Sequence, residues 1–426
     1  MVPSGAHTLD PDEPGTTTDA WRPPPCGRSA QYDARSMSFD HHDPPFVRDP
    51  ESVFGPMREE HPLVHSDLYG GFWVLTRYED VTAAALDCEA FTSAVAGTTL
   101  IPSTQPRVDP LLPLELDPPE HSVYRALVNP LFAKPRIDAM RPELEALATK
   151  LLEPFVRNGG GDVMAEFAHP MSLGSLARLM NLPAEDEGRW FDWVERMYSN
   201  AILDSADHAE AAHEAEAYID ELIEERKRKP RDDFLGSLLK AEVDGHCLSD
   251  AEVRQFGMVM LLAGYETTSG AMGMSLLHLA EHPDLRAQLF GDVEALEHTA
   301  VNEFLRFVSP VQVFGRNARH DVELHGETIP AGDVVLLAYG SANHDPRAFD
   351  EPERCVLDRH PNRHVAFGHG RHLCLGANLA RLELTIMLER FAVLFPDFRV
   401  DPAHAPAWKP RGDVRALASL NLLAGS

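Results

Sequence analysis

Thiols, long apolar runs and positive charge are all scarce in this chain. Its five cysteines, Cys26, Cys88, Cys247, Cys355 and Cys374, are an odd number with no Cys-x-x-Cys pair. That argues against a disulfide framework and a zinc ribbon and fits a reducing compartment, the cytoplasm. Apolar runs such as Met258–Ala263 fall far short of the ~20 residues a membrane span needs. Met1–Asp49 is rich in Pro, Asp, Thr and Ser and lacks both a basic flank and an apolar segment, so no signal peptide or membrane anchor is read there. Residues 1–40 are expected to be a disordered extension. Basic residues number 38 against 67 acidic ones, a net charge of −29. An acidic surface promotes solubility and excludes nucleic acid and anionic membranes as favoured partners. No internal repeat, linker-like stretch or dinucleotide-binding glycine fingerprint is present. With 44% hydrophobic and 25% charged residues, the remainder has ordinary globular composition. Length alone would suggest two or three domains, but 41–426 is expected to be one.

What the chain does have is Phe367-Gly368-His369-Gly370-Arg371-His372-Leu373-Cys374-Leu375-Gly376. A helical pattern follows at once, with Leu379, Leu382, Ile386 and Met387 among its apolar positions. Cys374 therefore sits at or just before a helix N-terminus, where unpaired N–H groups favour negative charge and lower a thiol's pKa. Gly368, Gly370 and Gly376 permit backbone conformations, or a close approach of a flat partner, that a Cβ would block. A thiolate offered from such a loop suits an axial ligand to haem iron.

Every fixed position of Phe-Gly-x-Gly-x-His-x-Cys-x-Gly is met, and here the chain resembles the cytochrome P-450 superfamily of haem-thiolate monooxygenases. The resemblance runs from about residue 45 to the C-terminus. It implies a mainly α fold with small β-sheets around haem b, with Cys374 as the metal ligand. Upstream, Ser249-Asp250-Ala251-Glu252 reads as a capping box, and the helical pattern continues to Glu281 before His282-Pro283 stops it. That is about 33 residues, or about 50 Å at about 1.5 Å per residue. A mid-helix threonine can turn its hydroxyl onto a carbonyl three or four residues back. Ala263-Gly264-Tyr265-Glu266-Thr267 matches the family's Ala-Gly-x-Asp/Glu-Thr. The resemblance makes Glu266 and Thr267 catalytic, the acid relaying protons and the alcohol hydrogen bonding during oxygen activation.

The same resemblance assigns the haem propionates to His121, Arg125, Arg316 and His372, and counts Ala263, Phe367, Gly368 and Gly376 as cofactor-binding. Arginine suits this because its planar fork pairs carboxylates. Glu303, Arg306 and Arg359 match a structural charge cluster behind the cysteine loop. From the residues themselves, Val322 and Leu324 alternate with polar neighbours, a glycine turn follows, and Val334 to Leu337 read as a buried strand. His360, His364, His369 and His372 cluster in sequence without the regular spacing of a separate metal site.

The implied activity is insertion of one oxygen atom from O2 into a C–H bond of a small hydrophobic substrate. The likeness of Leu116–His121 and Trp408–Gly412 to camphor-type hydroxylases points to a terpenoid. Val259, Leu262, Gln312, Val313, Phe314 and Val414, with the Ser93–Pro113 loop, are the implied pocket. Electrons would come from a separate ferredoxin and its reductase, docking near Arg363, Arg371, Lys134 and Arg136. Three other readings stand beside it: a biosynthetic oxidase performing desaturation, epoxidation or coupling, a haem-thiolate enzyme that uses peroxide directly, of a kind that usually lacks the Glu266–Thr267 arrangement, and a haem sensor without turnover, which would need no such pair. Tyr265, where a histidine is frequent, and Cys355, where an aromatic residue is usual, depart from the family pattern.

Overall fold

The computed structural model describes residues 39–99, 110–183, 186–199, 206–243 and 245–425. The extension expected over 1–40, apart from Phe39 and Asp40, lies outside the described residues, as does much of the Ser93–Pro113 loop. Phe39 itself is core, its ring set against Phe46, Phe54 and Phe72.

Helices dominate, and the longest among the described residues is Asp250–Glu281. It begins where the sequence says it should. Ser249 Oγ accepts from the Glu252 N–H at 3.3 Å, and the Glu252 carboxylate accepts from the Ser249 N–H at 2.7 Å. Buried residues run along it from Val253 to Ala280 on all sides, as expected of a helix enclosed by others. It packs against helices His169–Met180, Ala206–Arg228, Val293–Val308 and Ala377–Leu394. The last is the helix predicted after Cys374, and its Leu379, Leu382, Ile386 and Met387 are buried.

The principal sheet has five strands in the order Leu63–Ser66, Phe72–Leu75, Val334–Leu337, Phe314–Ala318, Phe91–Thr92. Val334–Leu337 runs parallel to Phe72–Leu75 and antiparallel to Phe314–Ala318, with Val335 opposite Arg316. The expected glycine turn joins Val322–Leu324 to Glu327–Ile329. His325 and Gly326 both have positive φ there, 54° and 81°, the backbone that a two-residue hairpin turn requires. Gly315 has no room for a side chain, since a Cβ would lie 1.8 Å from the Thr98 carbonyl oxygen. The loop before residue 100 can therefore press onto the strand that carries Arg316.

Behind the cysteine loop, Glu303 and Arg306 are fully buried and joined at 2.8 and 2.9 Å. Arg359 closes the cluster onto Glu303 at 3.0 Å. Arg306 also donates to the carbonyls of Asn343, Pro352 and Arg354, each at 2.8 Å. A buried charge cluster satisfied this fully pins three loop segments to one helix, and removing a partner would strand a buried charge.

Candidate active site

The cysteine loop is a folded turn. Gly368 donates to the Val365 carbonyl and Cys374 to the Phe367 carbonyl, both at 2.9 Å. Gly368 and Gly370 adopt φ of 73° and 72°, the left-handed region that glycine alone enters without strain. Gly376 does not: its φ is −80°, and it caps the helix Ala377–Leu394. A Cβ there would sit 4.0 Å from the Cys374 sulfur, so Gly376 serves close approach and not backbone strain. Phe367 lies under the Arg381 guanidinium, 4.5 Å from the ring centre.

Cys374 opens onto a cavity of about 670 Å³ and is otherwise enclosed. Burial pushes its thiol up, opposed by the Gly376 N–H and the charges of Arg125 and Arg381. This corrects the sign expected from the helix N-terminus alone, which leaves out desolvation. A thiol so enclosed ionises against a cation held inside the cavity, and coordination deprotonates a thiol outright.

The cavity's edge fits a group with anionic arms. His121 and His372 stand with ring centres 4.2 Å apart. Among the described residues, neither ring nitrogen of His121 nor Nε2 of His372 has a hydrogen-bond partner, although all three are buried. Burial pushes both imidazoles down, His121 to about 4 and His372 to about 3, with Arg125 and Arg316 lowering them further. Arg125 donates to the Leu373 carbonyl at 2.5 Å and to Asn129 at 2.8 Å, and Arg316 to the Gly315 carbonyl at 2.7 Å. Each guanidinium keeps further N–H donors. Orphaned buried donors beside two guanidiniums are what the carboxylates of haem would satisfy.

A family model described as Cytochrome P450 matches residues 179–407. The polyketide biosynthesis cytochrome P450 PksS of Bacillus subtilis is 33% identical, over 90% of this chain and 98% of that protein. Its solved structure matches with a TM-score of 0.82 over 91% of this chain and 100% of the other. Mycinamicin IV hydroxylase/epoxidase of Micromonospora griseorubida is 35% identical, over 82% of this chain and 88% of its own. A Mycobacterium marinum cytochrome P450 solved with pseudoionone matches with a TM-score of 0.81 at 29% identity, over 93% of this chain and 99% of the other. The chain belongs to the cytochrome P450 family. It is a haem-dependent monooxygenase, and the family's axial ligand to iron is a cysteine thiolate.

The P450 cavity gathers most of the residues singled out by sequence. Cys374, His121, Arg125, Arg316, Phe367, Gly368, His372 and Gly376 line it, as do Ala263, Thr267, Val259, Leu262, Phe314 and Val414. Gly97, Thr99, Leu111 and Pro113 enter from the described parts of the Ser93–Pro113 loop. The Thr267 hydroxyl donates to the Ala263 carbonyl at 2.9 Å, the back-bond expected of a mid-helix threonine.

Three expected residues lie elsewhere. Gln312 is turned inward, donating to the Ser309 carbonyl at 2.6 Å. Val313 is 1% exposed and packs with Phe39, Phe46 and Phe72. Their neighbour Val311, which the sequence does not single out, lines the cavity and bridges Val414. Val311 and Phe314 face the cavity while the two residues between them turn away, a pattern that strict alternation along an extended segment does not give. Glu266, adjacent to Thr267 in sequence, is fully buried but does not line the cavity. Its carboxylate lies 3.0 Å from Lys409 Nζ and 3.9 Å from Arg411. Burial pushes the Glu266 carboxyl up against the pull of these two cations. For Lys409, burial acts downward but is outweighed by Glu266 and Glu195, leaving its pKa raised.

Lys409 thus bridges two acids, since Glu195 accepts its second contact at 2.7 Å and also takes the Tyr265 hydroxyl at 2.9 Å. The odd residue Tyr265 has a partner here that the family pattern does not foretell. Lys409, Arg411 and Asp413 come from the loop between the short strands Ala407–Trp408 and Leu417–Ser419. Their charged alternation around Pro410 and Gly412 is the available signal for a loop that turns polar groups inward. Among the described residues no group of three or more ligating side chains is placed to hold a metal ion. Cys355 does not line the cavity, and burial raises its thiol to about 12. Among the described residues no helix is long and apolar enough to cross a membrane.

Proposed function

We propose that this P450 inserts one oxygen atom from O2 into a C–H bond of a substrate with an apolar skeleton, terpenoid in the first instance, using electrons from a separate ferredoxin and its reductase. The observation that carries the reading is that one cavity receives both the Cys374 sulfur and the Thr267 side chain. Haem bound there supplies oxygen activation driven by electron donation from the thiolate.

The chain's own residues do the rest. His121, Arg125, Arg316 and His372 hold the carboxylate arms and fix the orientation of the ring. Ala263, Phe367, Gly368 and Gly376 present surfaces flat enough to lie against it. Val259, Leu262, Phe314 and Val414 exclude water and position the carbon to be oxidised. Thr267 holds a proton at Oγ, its hydroxyl steadied by the Ala263 carbonyl. Glu266 resupplies that proton, and Lys409 sets how easily its carboxyl turns toward the threonine. The proposed ferredoxin contacts Arg363, Arg371, Lys134 and Arg136, all exposed, although Lys134 is also paired with Asp138 at 2.8 Å.

The terpenoid assignment draws support from the apolar positions above and from the relative solved with pseudoionone. A tailoring oxidation such as epoxidation draws support from the similar mycinamicin IV hydroxylase/epoxidase. The test is a binding screen read by haem absorption, followed by product analysis with surrogate ferredoxin and reductase. Hydroxylated product is expected. Ligands that shift the iron's spin state yet never yield an oxygenated product would overturn the proposal, and an epoxide or desaturated product would select the tailoring reading.

A further inference from the structure

The cavity wall formed by helix Ala206–Arg228 is not apolar. His208, Ala209, Ala212, His213 and Glu216 face the cavity, spaced as one stripe of a helix. Two acids of this helix pair across to neighbouring elements, Glu214 with Arg196 at 2.9 Å and Asp220 with Arg254 at 2.7 Å, and the exposed Glu224 pairs with Lys227 of its own helix at 2.9 Å. Glu216 is different. It is half-buried against the cavity, and among the described residues its carboxylate makes no ion pair or hydrogen bond. His213, one turn earlier on the same stripe, likewise has no side-chain partner among the described residues, whereas His208 is engaged with the Met197 carbonyl at 2.8 Å.

A carboxylate facing a mainly apolar cavity gives up hydration, and a cationic partner offsets that cost. Such a group discriminates by charge, because an anion or an uncharged tail leaves it unpaired. We propose that Glu216, assisted by His213, binds a cationic group of the substrate, remote from the oxidised carbon. The substrate is then an amphiphile, an apolar skeleton ending in a basic nitrogen. This rests on the cavity being the substrate site of the monooxygenase, and it narrows the substrate class that the apolar residues alone leave open.

The test uses the full-length holoprotein and three probes with one chain length: decyltrimethylammonium, decanol and decyl sulfate. The quaternary nitrogen cannot ligate iron, so its binding reports the cavity. Affinities are measured by equilibrium dialysis and by the shift of haem absorption. The ammonium probe should bind tightest to the wild type. Glu216→Gln should weaken it about tenfold, as loss of one charge-assisted contact does, while decanol changes less than about twofold. Glu216→Asp, which keeps the charge with shorter reach, should fall between. The proposal is overturned if the ammonium probe binds no tighter than decanol, if the sulfate binds best, or if Glu216→Gln weakens all three alike. A reduced carbon monoxide complex lacking the thiolate signature would instead defeat the monooxygenase reading, leaving the dialysis comparison to decide this one.

Discussion

At the scale of single residues, the proposed chemistry turns on two atoms, the sulfur of Cys374 and the ammonium nitrogen of Lys409. Replacing Cys374 with alanine should abolish the red-shifted carbon monoxide band of the reduced protein while leaving the fold intact, since the side chain faces a cavity and not the core. Retention of that band would place the ligand elsewhere. Lys409→Met leaves the Glu266 carboxylate beside Arg411 without its nearer cation. Breaking a buried pair in this way costs about 3 kcal/mol, which should appear in denaturant unfolding. Adding Glu266→Gln should recover most of that loss. In turnover, Lys409→Met should raise the fraction of reducing equivalents released as peroxide, with a changed solvent isotope effect, and Lys409→Arg should restore both. Cys374 was legible because its ten-residue loop is local. Lys409 was not, because an ion pair between distant segments exists only after folding brings them together.

At the scale of elements, local chemistry predicted local structure well. The long helix starts on the Ser249 capping box and ends at His282, both visible as residue types with a known mechanism. Ser249→Ala should cost about 1 kcal/mol in thermal or chemical unfolding, typical of a lost cap; no change would mean that packing alone fixes the boundary. Gly370→Ala places a Cβ 3.0 Å from the Ala85 carbonyl oxygen and demands φ of 72° from a residue that resists it. It should lower haem retention during dialysis as well as stability, because the strain falls inside the cysteine loop. Where an element's inward face depends on its neighbours, sequence misled. In the stretch Val311–Phe314 the outer two residues face the cavity and the middle two turn away, and nothing in four consecutive residues of mixed character says which pair turns which way. The polar stripe of Ala206–Arg228 was equally hidden, since histidine and glutamate on a helix usually face water.

At the scale of the whole molecule, several buried or half-buried histidines outside the cysteine loop are held in neutral form. Burial lowers His169 and His278 to about 4 and His344 to about 3. Unfolded, each takes up a proton near about 6.5; folded, each resists until the pH is far lower. The unfolded chain therefore binds protons first on acidification. Their contribution to stability is complete above about pH 6.5 and falls by up to about 1.4 kcal/mol per histidine per pH unit below it. Denaturant unfolding followed from about pH 7 to about pH 4 should show this slope, and His278→Gln should lessen it. A flat profile would mean that these imidazoles take up protons at the same pH in the folded and unfolded chain.

The loop bearing Lys409, Arg411 and Asp413 reaches the long helix from much later in the polypeptide. During synthesis, then, the signature residues around Thr267 emerge well before the cations that restrain Glu266. A nascent P450 carrying every recognisable motif up to the cysteine helix would still hold an unguarded acid at its centre. On the proposed role of Lys409, competence in proton handling is thus conferred last, by a loop made well after the helix it serves.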